Sequence, residues 1–141
     1  MRTPTREQIL AAYQRHSERR STFDWVGLAE CFAEDARYFD PMFGWQEGRS
    51  AISAFLEGAM AGLATRIFTD LWHVTEGDRL VLYWQCSTPG TEDETGEASL
   101  YHGMSALRLG TDGLWSEQMD IYDREQARSS RSEARLPSST T

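Results

Sequence analysis

The chain changes its hydrophobic period once, near residue 65, and that switch limits the folds open to it. Before it, apolar residues recur at helical spacing; after it, they fall in strand-like runs rich in β-branched and aromatic residues. Thr3-Pro4-Thr5 is expected to open a first helix, with Pro4 in its first turn and Ile9, Leu10, Tyr13 and His16 on one stripe. The polar stretch 17–22 should break it. Asp24 is a good N-cap for a second helix carrying Trp25, Leu28, Ala29 and Phe32. Residues 36–40 read as a short strand stopped by Pro41, followed by a glycine-rich turn at 43–48. A third helix, 50–63, carries Ile52, Phe55, Leu56, Ala59, Met60 and Leu63.

Four strands are expected after the switch, at 66–74, 79–86, 98–109 and 114–122, parted by turn-like segments. Helices first and antiparallel strands afterwards mark an α+β fold. The expected arrangement is three N-terminal helices packed in the concave face of a strongly curved, mostly antiparallel sheet, a cone-shaped α+β barrel. Residues 1–125 should form a single domain. Residues 126–141, rich in Ser, Arg and Thr, are expected to be disordered.

Charge removes several functions. All 14 basic residues are arginine, against 22 acidic ones, for a net charge of −8. Without lysine there is no Schiff-base or pyridoxal chemistry and no Gly-Lys-Ser/Thr phosphate cradle. No basic patch is visible, so nucleic acid is not an expected partner. No apolar run reaches the roughly 18–20 residues that span a bilayer, and residues 1–10 lack a basic-then-apolar leader. A cytoplasmic chain with no membrane contact is expected. Cys31 and Cys86 lack CxxC spacing and read as reduced, buried small hydrophobes. The three histidines, His16, His73 and His102, are scattered, so neither a metal nor another cofactor is expected. There is no Gly-x-Ser-x-Gly elbow for a serine nucleophile.

What remains is carboxylate and tyrosine chemistry in an enclosed cavity. On the last strand, Gln118, Asp120 and Tyr122 share one face. If Arg108 faces water, Leu107, Ser105, Gly103 and Tyr101 look inward on the strand before it. His102 then points outward with Met104, unless a bulge at Gly103 reverses the register. Asp40 ends the first strand at the rim. Asp40 and Asp120 together form a candidate acid–base pair, since desolvation raises a carboxylate toward neutrality, and Tyr13 is a candidate neutral donor to a developing oxyanion. Phe55, Trp72, Trp84, Tyr101 and Tyr122 are expected to line the cavity, with His16 and Ser105 as further contacts and His102 as a possible one. The plainer alternatives stand beside these. Asp40 could start an Asp-Pro turn, and Asp120 could be a structural carboxylate satisfied by its neighbours. His73 reads as a half-exposed strand residue. The outer face offers Leu100, Met104, Ala106, Met119 and Ile121, so a homodimer is expected.

Particular motifs resemble a known superfamily. Residues 32–36 read Phe-Ala-Glu-Asp-Ala; Asp40-Pro41 ends a strand; Gly48-Arg-Ser-Ala-Ile opens the third helix. Gly77-Asp78-Arg79 follows at a hairpin, then Asp112-Gly113, Glu117 and Asp120-Ile-Tyr-Asp123. Over residues 5–125 the chain resembles the nuclear transport factor 2-like superfamily, especially its SnoaL-like branch. That resemblance implies a cofactor-independent isomerase, cyclase, dehydratase or epoxide hydrolase acting on a largely apolar small molecule, or a binding module of the same fold. It places Asp40 where ketosteroid isomerases carry their general base and Ser105 where they carry a second, protonated aspartate; this departure argues against steroid isomerisation. Their oxyanion tyrosine falls near Tyr13 or His16. Asp120 resembles an active-site aspartate of limonene-type epoxide hydrolases, whose middle-strand arginine and aspartate are replaced here by Trp84 and Cys86. Of the scytalone-type dehydratase histidines, His102 is the one candidate counterpart.

Overall fold

Thr5, not Pro4, sets the start of the first helix. Its side chain accepts from the Gln8 backbone while the Gln8 side chain accepts from the Thr5 backbone, a reciprocal box that satisfies two otherwise unpaired donors. The computed structural model describes residues 3–60 and 66–135. Helix α1 spans Arg6–Ser21 and runs through the polar stretch expected to break it, with Arg19 and Arg20 in the last turn, where cations suit the helix dipole. Asp24 caps α2 (Trp25–Glu30) by accepting from the Gly27 backbone. Phe32 does not continue that helix. It opens β1 (Phe32–Asp40), which pairs antiparallel with β2 (Gly44–Glu47), a strand formed from the segment read as a turn. Helix α3 covers Arg49–Met60; the expected continuation to Leu63 lies outside the described residues.

The remaining strands are β3 (Ile67–Glu76), β4 (Arg79–Thr88), β5 (Ser99–Leu109) and β6 (Trp115–Tyr122). One six-stranded sheet results, in the order β2-β1-β6-β5-β4-β3, with β1 parallel to β6 and every other pair antiparallel. The sheet curls without closing, and the N-terminal helices fill its inner face. Ile9, Leu28, Phe32, Ile52, Leu56, Leu82 and Trp115 form much of that core, each nearly solvent-free. The tail corrects an expectation. It begins with a helix, α4 (Arg124–Arg135), started by Asp123 accepting from Gln126 N at 3.0 Å and docked on β5 through buried Ala127. Residues 136–141 lie outside the described range. No helix among the described residues is long and apolar enough to cross a membrane.

Two features of register decide what faces inward. Strand β3 pairs Asp70 with Trp84 but Trp72 with Tyr83, so Leu71 is an extra residue in a bulge. Asp70 therefore turns in, and Trp72, expected in the cavity, is 47 % exposed on the outer face against Tyr83. By contrast, β4 and β5 stay in step from Arg79 to Thr88, so no bulge at Gly103 brings His102 inside. His102 stacks on Tyr83 outside the sheet, away from the interior. Gly103 serves a different purpose: a Cβ there would sit 2.3 Å from the Trp84 ring, which lies directly over it.

Candidate active site

Strand parity brings one buried polar cluster together. Gln118 and Asp120 on β6, Ser105 on β5, Trp84 on β4 and Tyr38 on β1 meet His16 from α1 around a small chamber. Asp120, 8 % exposed, receives three neutral donors: the Tyr38 hydroxyl at Oδ2, and at Oδ1 the Ser105 hydroxyl (2.7 Å) and the Gln118 amide (2.8 Å). Ser105 in turn accepts from Trp84 Nε1 at 3.0 Å. Because the Gln118 amide nitrogen faces Tyr38 and Asp120, its oxygen is left to accept from His16 Nε2–H at 2.9 Å. The histidine thus orients the glutamine that holds the carboxylate.

Burial dominates the electrostatics. It raises the Asp120 carboxyl above its ordinary range; the Gln118, Tyr38 and Ser105 hydrogen bonds oppose this, and the charge of Asp40 adds to it. Tyr38 is pushed well above its usual value by burial and by the neighbouring Asp120 charge, so it stays a donor. His16 is lowered to about 4, chiefly by burial and then by Arg20, and is neutral at pH 7. A carboxyl raised above its ordinary range is a better-matched proton carrier than a free one.

The other expected catalytic groups lie elsewhere. Asp40 is buried, but its Oδ1 accepts from the Met42 (2.8 Å) and Phe43 (3.2 Å) backbones, and the Tyr122 hydroxyl lies 2.9 Å from both oxygens. That is the turn-starting arrangement. Tyr13 donates to Asp70, which also pairs with Arg20 at 2.5 Å. Burial and that bond push the Tyr13 hydroxyl up to about 12. Phe55 packs on Tyr38 and Phe43, while Tyr101 is buried between Trp84 and Tyr122. Tyr38, Arg20, Asp70 and Arg66 were missed. Tyr38 was within reach of parity, being two residues before Asp40 on the same face; Asp70 was hidden by the bulge.

The chamber is about 40 Å³, enough for ordered water but not for a ring. Arg20 and Phe68 line both it and a groove of about 480 Å³ between the end of α1 and the start of β3. The groove is within the range of small-molecule sites. Among the described residues, no three His, Cys, Asp or Glu side chains gather in a way that would hold a metal ion.

Known proteins share this architecture. The family model of the SnoaL-like domain matches residues 9–118. No curated protein matches the chain significantly. Among solved structures, TerC co-crystallised with polyporic acid superposes with a TM-score of 0.74 at 16% identity, covering 89% of this chain and 98% of that one. A candidate SnoaL-like polyketide cyclase from Shewanella putrefaciens CN-32 gives 0.71 at 17%, covering 89% and 86%. A candidate ketosteroid isomerase from Kribbella flavida DSM 17836 gives 0.64 at 19%, covering 84% and 79%. At such identities the likeness concerns the fold.

Proposed function

The chain belongs to the family of SnoaL-like domains, and on that premise we propose that it is a cofactor-independent acid–base enzyme acting on a largely apolar small molecule. The observation that carries this reading is Asp120, a buried carboxyl on a chamber wall, raised above its ordinary range and held by three neutral donors. The substrate's apolar body lies in the groove, and its reacting end reaches past Phe68 into the chamber. Asp120 then moves a proton at the reacting atom; Tyr38 and Ser105 donate to its charged form, and burial favours its neutral one. Asp40 contributes its charge and the shape of the β1–β2 turn. Isomerisation, cyclisation, dehydration and epoxide opening all need such a proton carrier.

The test uses an enolisable ketone whose carbonyl stands clear of its ring, 4-phenyl-2-butanone, in D₂O, with α-proton exchange followed by NMR. Wild type should accelerate exchange and Asp120→Asn should not; equal rates in the two would sink the assignment. A second reading, a binding module without turnover, draws support from the small chamber and the backbone-satisfied Asp40. Exposed Leu71, Trp72, Val74, Leu100, Met104 and Ile121 support a homodimer through the outer sheet face in either case. A monomer in sedimentation at micromolar concentration would remove it.

A further inference from the structure

Arg66 breaks the ordinary rule that a buried charge is paired. It is 1 % exposed, the one buried arginine among the described residues. Its Nη1 lies 4.0 Å from the Cys86 sulfur, and its guanidinium carbon sits 5.8 Å from the centre of the Tyr101 ring. Nε and Nη2 have no hydrogen-bond partner. These two donors lie parallel on one edge of the planar guanidinium, spaced to meet both oxygens of a carboxylate. What is left unpartnered is a complete bidentate edge.

Arg66 also helps to wall the 480 Å³ groove, together with Arg20, Asp70, Phe23, Ile67 and Phe68. Among the described residues, two arginines and one aspartate leave that wall with a net charge of +1 on a chain of −8. A monoanion balances it; a phosphate dianion would overshoot and meet the surrounding negative field. A second unpartnered atom faces the same question. Asp70 Oδ1 is buried without a hydrogen-bond partner and would accept from a hydroxyl or N–H on the same occupant.

We propose that Arg66 anchors a carboxylate: the groove takes a small molecule with an apolar body and one carboxylate group, bound by Nε–H and Nη2–H. A small swing of the guanidinium toward the groove delivers the pair, and Phe23, Ile67 and Phe68 supply the apolar wall. The inference rests on the reading that the groove admits the substrate, and not on the proton chemistry of Asp120.

The test compares 1-naphthoate with its neutral counterpart 1-naphthalenemethanol by calorimetry, in wild type, Asp120→Asn and Arg66→Met. Naphthoate should bind wild type and Asp120→Asn about tenfold or more tighter than the alcohol, as a charge-assisted bidentate contact provides. Arg66→Met should bind the two alike, while the free variant keeps its stability because an unpaired buried charge has been removed. Naphthoate should also move the Arg66 Nε–H resonance downfield in wild type, and that signal decides the matter if the methionine variant does not fold. Equal affinities in wild type, no naphthoate binding, an unmoved Nε–H, or a preference that survives Arg66→Met overturns the proposal. Binding that persists without turnover would instead count against the enzyme reading alone.

Discussion

Of the three tyrosine–aspartate pairs inside this fold, Tyr122–Asp40 closes a turn, and the other two differ in the company around them. Tyr38 and Asp120 sit among Ser105, Gln118 and neutral His16, with no cation among the described residues bonded to the carboxylate. Tyr13 and Asp70 sit against Arg20, whose guanidinium is 2.5 Å from the carboxylate. Arg20 gives Asp70 an ion-pair partner, whereas Asp120 has hydrogen bonds to neutral groups and is raised by burial. The first pair suits chemistry and the second suits architecture.

Exchanging the acids should separate them most. Asp120→Asn should lower α-proton exchange by about 10²–10⁴-fold, the usual worth of a positioned acid–base group. Its folded stability should hold or rise, since the asparagine oxygen can still accept from Ser105 and Gln118 and no charge has to be buried. Asp70→Asn should do the opposite: activity within about tenfold of wild type, and stability lower by about 2 kcal/mol in urea melts because Arg20 loses its partner. If Asp70→Asn proves the catalytically dead variant, the two pairs have been assigned in reverse.

Acid should test the histidine that connects the two regions. His16 has its folded value lowered to about 4, so the unfolded chain binds the proton first as pH drops. Relative to His16→Gln, wild type should lose stability from pH 6.5 downward, approaching roughly 3 kcal/mol at pH 4 and below. Asp120 works in the other sense. Its raised value makes ionisation a cost to folding, so the stability advantage of Asp120→Asn should shrink as pH falls through the folded value. Unfolding free energies measured from pH 7 to pH 4 check both signs.

The smallest expected contrast is between the phenols. Tyr38→Phe removes a donor from the buried carboxylate and should slow exchange by about tenfold, the worth of one hydrogen bond to a charged group. Tyr13→Phe leaves the Arg20–Asp70 pair intact and should stay within about twofold. Equal losses would mean that the two pairs act as one network.

Period-two alternation placed Tyr101, Ser105, Gln118 and Asp120 inward before any coordinates, because β5 and β6 are interior strands with one face on the core. Helix α3 was legible for a similar reason, with a wide apolar stripe and a polar opposite face. Other features carry no such signature. Strand β2 is four residues, Gly-Trp-Gln-Glu, held by pairing with β1, a tertiary cause that local pattern does not encode. Arg66 defeats any composition rule, since an arginine read alone is expected outside. The partners of Asp40 and Tyr13 depended on where helix and strand meet, which spacing along either element leaves open.

The extra residue at Leu71 has a consequence beyond turning Asp70 inward. Strand β3 is an edge of the sheet, and it exposes Ile67, Leu71, Trp72 and Val74. A long, flat, apolar edge would be a template for strand addition by a second chain, the route by which folded sheets seed aggregates. The bulge interrupts the row of free backbone groups midway and twists the strand, so that no incoming strand can pair along its full length. One irregular residue therefore works against strand addition at the same place where it shapes the groove.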